Sequence, residues 1–330
     1  MGIEVIRAGI LTTIQDLGRY GYQKFGLNIN GAMDEGAARV ANILVGNDEN
    51  CAVLELTLTG TSLKMTADHL IAICGGDMSA TMNGQSVPNW QPFIASKDAI
   101  ISFGHYKSGC RVYIALAGGI NVSAVLGSYS TNIRANIGGY EGRALRNGDV
   151  IEVHDMRSQS CSMGLWKKLH SNESNTFNAQ HFGIAYADSV TIRFIAGPEY
   201  DLLDEDNKMK FTQSKWIIDS QSDRMGYRLQ GPSLEMKRKQ ELITEGVVHG
   251  IIQLPANGQP IVLLSDRQTT GGYPRIAVVA AVDIPMFGQL KPGSAITFAA
   301  VTIEEAEKLL FDSEKDIKRL KIAIQLKSRQ

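Results

Sequence analysis

Short β-rich runs separated by turn residues are the feature that most constrains how this chain can fold. Apolar and β-branched residues cluster in ten such runs, with Gly, Asn or Asp between them. Many short strands with few helices favour barrels or sandwiches over a βαβ sheet. The sequence therefore predicts a mainly β fold. The runs cover residues 53–58, 69–74, 99–103, 111–117, 150–153, 190–195, 215–218, 250–254, 260–265 and 276–282.

Helical periodicity is clear in two places. After Asp34 one apolar face recurs at helical spacing, and Gly46 stands where a C-terminal cap belongs. Near the other end Thr302 and Glu305 have the spacing of a capping box, which predicts an amphipathic C-terminal helix with a break near Asp312 and Ser313. The apolar positions are Ala38, Ala41, Leu44 and Val45 in the first helix, and Ala306, Leu309, Leu310, Ile317, Leu320 and Ile324 in the second.

The length of 330 residues predicts about two domains. Strand alternation is lost over residues 155–188, where Ser, Asn and Gln accumulate. The segments GRALRNGDVIEV (142–153) and GQLKPGSAITFA (288–299) are similar, which fits a duplicated β-domain. We expect a first β-domain over 1–160, a linker over 161–188, a second β-domain over 189–301 and a helical tail over 302–330.

Composition excludes several classes of protein. A hydrophobic share of 44% argues against a largely disordered chain, and a formal net charge of −1 gives no global attraction to nucleic acid or anionic membrane. The longest uncharged run, 112–133, holds three glycines and two asparagines and is too polar to span a bilayer. The four cysteines lie far apart, as in reduced cytoplasmic proteins. We expect a cytoplasmic protein with no nucleic-acid or membrane partner.

The standard catalytic motifs are missing. The sequence contains no G-x-x-x-x-G-K-[ST] phosphate loop, no G-x-S-x-G elbow, no H-E-x-x-H and no G-x-G-x-x-G after a strand. If ATP is used, we expect another chain to hold most of it. The six histidines are scattered singly, so no metal is predicted.

The first candidate site segment, residues 13–34, combines four glycines with polar side chains that include Arg19, Tyr20 and Asp34. A guanidinium is a planar fork that suits a carboxylate, and neighbouring glycines let backbone N–H groups approach a ligand. The alternative is a surface loop with a structural pair between Asp16 and Arg19.

The second candidate segment, residues 266–274, follows an apolar strand. Its Gln268, Thr270 and Tyr273 could present amide and hydroxyl groups to a ureido or lactam ring, and the alternative is a hairpin turn.

The third candidate segment, residues 222–228, offers Arg224 to an anionic ligand, with a solvated surface as its alternative. We expect one site between the two halves, because concave sites tend to form at domain junctions. The expected catalytic residues are Asp34 and Arg19, and the expected substrate-binding residues are Tyr20, Arg224, Gln268, Thr270 and Tyr273.

Several segments together resemble one family. They are TTIQDLGRYGYQ, NGAMD, ANILVGN, LELTLTG, LAGGINV, VLGSYST, SDRMGYRLQG, GIIQLPANGQPIVLLSDRQTTGGYP and LKPGSAITF, and they extend from about residue 5 to 300. They are similar to the allophanate hydrolase subunit 2 family, also called the biotin-dependent carboxyltransferase family, which includes the C subunits of 5-oxoprolinases (KipA proteins).

This resemblance implies tandem cyclophilin-like β-barrel domains and a hetero-oligomer in which the B subunit is KipI-like and the A subunit is LamB/YcsF-like. Such a complex uses ATP to open 5-oxo-L-proline to L-glutamate. Related domains carboxylate urea, and with that role free or carrier-borne biotin would be a cofactor. A third alternative is a non-catalytic regulatory protein that binds and antagonises a KipI-like partner.

Two positions depart from the family pattern. Asn30 precedes Gly31 where relatives usually have Ser, and Tyr129 stands where they usually have Arg. The second departure weakens the case for anion binding through that loop. The chain also lacks the A-M-K-M sequence of a biotin carrier, so it is not expected to carry biotin covalently.

Overall fold

A computed structural model of the chain describes residues 2–171, 178–183, 189–238 and 242–329. The chain divides into two compact units. The first contains Met1–Arg19, Asn30–Ile184 and Lys315–Gln330, and the second contains Tyr20–Ile29 and Ala185–Glu314. Parts of the expected linker, residues 172–177 and 184–188, lie outside the described residues.

The strands of the first unit form two antiparallel sheets around one apolar core. The sheets have the strand orders β11-β1-β4-β9-β6-β7 and β2-β3-β10-β5-β8. Ile3 and Leu63 from one sheet share this core with Leu54 and Ile114 from the other. The strands are β1 (Gly2–Ala8), β2 (Leu11–Gln15), β3 (Val53–Thr57), β4 (Thr61–Met65), β5 (His69–Asp77), β6 (Thr81–Met82), β7 (Gln85–Ser86), β8 (Pro92–Ala95), β9 (Ile100–Ser102), β10 (Ser108–Leu116) and β11 (Val150–Glu152).

Two helices of the first unit pack in a second apolar cluster. Helix α1 (Glu35–Leu44) begins where the sequence predicts, because Asp34 Oδ1 accepts the N–H of Ala37 at 2.9 Å. Helix α2 (Ser160–His170) contributes the buried Leu165 to the same cluster. Its helical spacing explains why strand alternation stops in this region.

A closed seven-stranded barrel forms the second unit, in the order β12-β19-β16-β17-β14-β13-β20. The ring closes through the parallel pair β12 and β20, whereas the other neighbours are antiparallel. Phe211 stacks on Phe298 in the core, with 4.5 Å between ring centroids. The elements are β12 (Ser189–Ala196), α3 (Glu205–Gln213), β13 (Trp216–Ile218), β14 (Gly226–Gln230), β15 (Glu245–Gly246), β16 (Ile251–Gln253), β17 (Ile261–Leu263), β18 (Thr270–Gly271), β19 (Arg275–Val279), α4 (Ile284–Gln289) and β20 (Ala295–Ala300).

Helix α5 (Ile303–Arg329) ends the chain. The predicted capping box is present, since Thr302 N donates to Glu305 Oε2 at 2.9 Å and Glu305 N donates to Thr302 Oγ1 at 3.1 Å. The break expected near Asp312 and Ser313 is wrong. Both residues are exposed and neither lacks a backbone N–H, so nothing interrupts the helix there.

The prediction of a mainly β protein with few helices, a barrel and a C-terminal helix is confirmed. No helix in the described part of the chain is long and apolar enough to cross a membrane.

Candidate functional site

Asp16, at the end of β2, holds the loop over residues 125–131 in the first unit. Its Oδ1 accepts from Ser128 Oγ at 2.7 Å and from Ser130 Oγ at 2.5 Å, and its Oδ2 accepts from Tyr129 N at 2.7 Å. A buried carboxylate is costly to desolvate unless it is hydrogen-bonded, and these donors meet that requirement. Asp16 therefore fixes the shape of this loop.

Arg19 is fully buried and binds the same loop. Its Nε donates to Val125 O at 2.9 Å, its Nη2 to Ser130 O at 2.9 Å and its Nη1 to Asn30 Oδ1 at 3.2 Å. Burial lowers the pKa of Arg19 from its ordinary value, while the charge of Asp16 acts in the opposite direction. The guanidinium thus donates all of these hydrogen bonds to protein oxygens and links the loop over residues 125–131 to Asn30.

A cleft of about 520 Å³ lies next to this arginine, and Val125, Gly138 and Tyr140 are among its lining residues. A Cβ added to Gly138 would collide with Ser130 O and come within 2.8 Å of Arg19 Nη2. Only glycine fits between the cleft and the guanidinium. Arg19 therefore supports the wall of this cleft.

The two departures from the family pattern have structural counterparts here. Asn30 adopts φ +60° and accepts a hydrogen bond from Arg19, and Asn tolerates this left-handed conformation better than most residues. Tyr129 is partly buried against the core between the two sheets. At this position Tyr129 adds packing, where an arginine would add charge.

Asp34 caps helix α1 and is buried. Its backbone N donates to Tyr113 Oη at 2.8 Å, and that hydroxyl donates to Glu55 Oε2 at 2.8 Å. Burial raises the pKa of Tyr113, and the nearby carboxylates of Glu55 and Asp34 add to this shift. The hydroxyl is therefore protonated at neutral pH and acts as a fixed donor.

In the second unit Arg224 and Asp266 form a two-point ion pair. Arg224 Nε donates to Asp266 Oδ2 at 2.9 Å, and Nη2 donates to Oδ1 at 3.0 Å. Asn28 Nδ2 donates to the carbonyl oxygen of Asp266 at 2.6 Å. Asn28 and the exposed Tyr20 belong to the segment Tyr20–Ile29 of this unit. The first and third candidate segments thus both contribute residues to the second unit.

The remaining predicted residues lie along the segment after Asp266. Gln268 is half-buried, and Thr270 is exposed in β18, which pairs with β15. Tyr273 is exposed and lines a polar cleft of about 380 Å³ together with Arg228 and Gln259. These amide and hydroxyl groups are accessible to a small ligand.

His249 is a candidate residue outside the set predicted from the sequence. Its Nε2 is buried and has no hydrogen-bond partner among the described residues, although the residue as a whole is only half-buried. Burial lowers the pKa of His249 to about 3, and the charges of Arg267 and Arg224 act in the same direction. An ionisable residue inside the apolar run VVHGII is the sequence signal that could have identified it.

The structure places the predicted site residues in two groups. Arg19 and Asp34 lie in the first unit, and the rest lie in the second: Tyr20, Arg224, Gln268, Thr270 and Tyr273. That the two groups form one site stays a prediction. In the described ranges no three His, Cys, Asp or Glu side chains are grouped so as to hold a metal ion.

Three comparisons relate this chain to known proteins. The C subunit of the Escherichia coli (strain K12) 5-oxoprolinase is 38% identical over 321 residues, which cover 96% of this chain and 97% of that protein. Urea amidolyase of Saccharomyces cerevisiae is 33% identical over 96% of this chain but only 18% of its own length. The crystal structure of the K. lactis urea amidolyase has a TM-score of 0.85 and 29% identity, covering 97% of this chain and 20% of that chain.

Residues 25–300 match the carboxyltransferase domain family, subdomains A and B. The chain spans nearly the whole bacterial relative but about a fifth of the two urea amidolyases. By this match and by its identity to the bacterial relative, the chain belongs to the carboxyltransferase domain family, subdomains A and B.

Proposed function

We propose that this chain is the C subunit of an ATP-dependent 5-oxoprolinase that converts 5-oxo-L-proline to L-glutamate. One observation carries this proposal: the chain and the C subunit of the Escherichia coli 5-oxoprolinase match over 96% and 97% of their lengths. That bacterial protein is 38% identical to this chain, whereas the urea amidolyase of Saccharomyces cerevisiae is 33% identical. The bacterial protein is therefore the better functional analogue.

The proposed reaction breaks an unreactive lactam by activating its oxygen. The γ-phosphoryl group of ATP is transferred to the lactam oxygen and ADP leaves. Water then adds to the carbonyl carbon of the lactam, and the C–N bond breaks as the nitrogen takes up a proton to become the amine. A second water releases phosphate and leaves L-glutamate. Hydrogen-bond donors held near the lactam oxygen lower the barrier where charge changes on that atom.

Residues of the second unit fit the role of holding the lactam. Gln268, Thr270 and Tyr273 carry amide and hydroxyl groups that are at least partly accessible. Arg19 and Arg224 are buried and already hydrogen-bonded. In this proposal the two arginines hold the loops that shape the site, while the three accessible side chains contact the substrate.

Partner proteins complete the proposed enzyme. The chain has no phosphate-loop sequence, so ATP is assigned mainly to the partners. The proposed B subunit is KipI-like, the proposed A subunit is LamB/YcsF-like, and activity requires their complex with this chain. Size-exclusion chromatography with light scattering on the three co-expressed proteins tests assembly, and separate peaks at micromolar concentration would count against it.

The decisive assay measures glutamate formed from 5-oxo-L-proline by the purified complex of all three proteins, with and without ATP. Gln268→Ala should lower kcat/KM, whereas Gln85→Ala should not, because Gln85 is exposed in the first unit at a distance along the chain from every candidate segment. A folded, assembled complex that forms no glutamate would remove this proposal.

Carboxyl transfer is the second candidate function. The observation that favours it is the similarity of fold to the K. lactis urea amidolyase over 97% of this chain. Its assay supplies urea, bicarbonate, ATP and a biotin-carrying partner, and measures urea-dependent ATP consumption. Turnover in this assay but not with 5-oxo-L-proline would favour the second candidate.

A further inference from the structure

The turn between β15 and β16 places His249 beside the second candidate segment, residues 266–274, and the end of β17 that precedes it. Val247 N donates to Thr269 O at 3.1 Å, and Gly250 N donates to Leu263 O at 2.8 Å. Along the chain, His249 lies between these two hydrogen bonds. His249 therefore lies opposite residues 264–268, which follow the barrel strand β17 and include Asp266.

Two buried nitrogen atoms in this region lack hydrogen-bond partners among the residues described. One is His249 Nε2 and the other is Gln253 Nε2. The Gln253 amide reaches the same segment, since a Cβ added to Gly271 would lie 2.5 Å from its Nε2. Buried polar groups are nearly always hydrogen-bonded, so two unsatisfied groups facing one segment call for a specific explanation.

The charges around His249 restrict which ligand can hydrogen-bond to its Nε2. Arg224 and Arg267 both act electrostatically on its ring against protonation, and Asp266 acts in the opposite direction. A bound metal cation would be repelled by the two guanidinium groups, and the described residues offer no cluster of metal ligands here. A neutral imidazole has one N–H donor and one acceptor lone pair, which suits an uncharged amide or an anion.

We propose that His249 is a ligand-contacting residue whose ring hydrogen-bonds the amide group of a small lactam or ureide bound beside Arg224 and Gln253. This inference rests on the proposed function for the choice of lactam over ureide. It adds to that function a contact residue outside the predicted set. The unpartnered Nε2 is then the atom that the ligand satisfies.

The first test uses two replacements of His249 in the reconstituted complex. His249→Phe keeps a planar ring of similar size without polar atoms, and His249→Gln keeps a hydrogen-bonding group. Loss of one neutral hydrogen bond predicts a fall in kcat/KM of about 2- to 12-fold for His249→Phe, from about 0.5–1.5 kcal/mol at about 1.4 kcal/mol per tenfold. His249→Gln should retain more activity, and the exposed His105→Phe serves as the control.

Stability separates a ligand contact from a structural role. His249→Phe removes a buried polar atom that has no partner among the described residues, so its Tm should be equal to or above that of the wild type. A structural histidine would instead lose stability and keep its kinetics. Wild-type kcat/KM in both folded variants would overturn the proposal.

A binding measurement keeps this inference distinct from the proposed function. Nitrogen-15 is introduced into the histidine rings of this chain alone, and the complex is titrated with 5-oxo-L-proline and, separately, with urea. The His249 signal, assigned by its loss in His249→Gln, should shift with one of them. A shift with urea only, and no glutamate formation, would overturn the proposed function but support the inference. No shift with either compound would overturn the inference.

Discussion

Replacing Arg19 by Ala should destabilise the protein strongly. The substitution removes three hydrogen bonds from a fully buried guanidinium, to Val125 O, Ser130 O and Asn30 Oδ1. Hydrogen bonds to charged groups contribute about 1.5–3 kcal/mol each. The three acceptors are neutral oxygens that stay buried without their donor, and we expect a combined cost of about 3–5 kcal/mol, the size seen when one partner of a buried pair is removed. We expect a loss of this size in the free energy of unfolding.

The expected loss is a large fraction of the roughly 5–15 kcal/mol that typically separates the folded from the unfolded state of a protein. For a domain of about 150–250 residues, it corresponds to a fall in Tm of roughly 6–20 °C. Arg19→Lys should give an intermediate loss, because an ammonium group keeps the charge but lacks the planar fork. Differential scanning calorimetry on the purified chain measures both.

Arg157→Ala is the matched control. Its guanidinium is largely exposed and pairs with Asp155, and such solvent-exposed ion pairs contribute little to stability. If Arg19→Ala melts like the wild type while kcat/KM of the complex collapses, the structural reasoning is wrong. Arg19 would then bind substrate directly, as the sequence predicts.

Three further outcomes follow from buried groups and close contacts. Because burial and neighbouring arginines lower the pKa of His249 from 6.5 to about 3, the unfolded chain binds a proton between these values that the folded chain excludes. The contribution to the free energy of unfolding is therefore fully present above pH 6.5, and the free energy of unfolding falls by about 2 kcal/mol by pH 5. Urea unfolding of His249→Phe should lack this pH dependence, and the same dependence of the free energy of unfolding on pH in both proteins would contradict the reasoning. A Cβ at Gly139, where φ is +54°, would meet Thr131 Oγ1, so Gly139→Ala should lower Tm more than Gly148→Ala, whose Cβ meets nothing within 4 Å; equal melting temperatures would refute the clash. Asp34→Asn should keep the helix cap and turnover, whereas Asp34→Ala should lose about 0.5–2 kcal/mol; a stable but inactive Asn variant would instead show that the carboxylate takes part in the chemistry.

Local sequence patterns predicted the fold well where the signal is local. Each of the ten predicted β-rich runs overlaps a strand, and Asp34 and Thr302 each mark a helix start. Strands such as β4 and β14 were not predicted, because their positions depend on long-range pairing, of β4 with β1 and of β14 with β17. The similar segments 142–153 and 288–299 do contain β11 and β20. However, β11 pairs antiparallel with β1, whereas β20 pairs parallel with β12.

The site was less predictable, because its contacts join distant parts of the chain. Arg19 suited an anionic ligand by its chemistry, but its partners Val125 and Ser130 lie 106 and 111 residues away, so its burial could not be inferred. The ion pair between Arg224 and Asp266 spans 42 residues in the same way. The only sequence signal for His249 is that one ionisable residue lies in an apolar run.

The segment Tyr20–Ile29 belongs to the second unit although the residues before and after it belong to the first, and this limits how the protein can be divided. No single peptide-bond cleavage between residues 184 and 189 would yield two fragments with complete units. The C-terminal fragment would lack Asn28 and its hydrogen bond to Asp266, and the N-terminal fragment would lack residues 315–330. Gene fusions, domain swaps between relatives and circular permutants therefore need to take account of the unit boundaries near residues 19, 30 and 315. A chain divided only between residues 184 and 189 should give two unstable fragments.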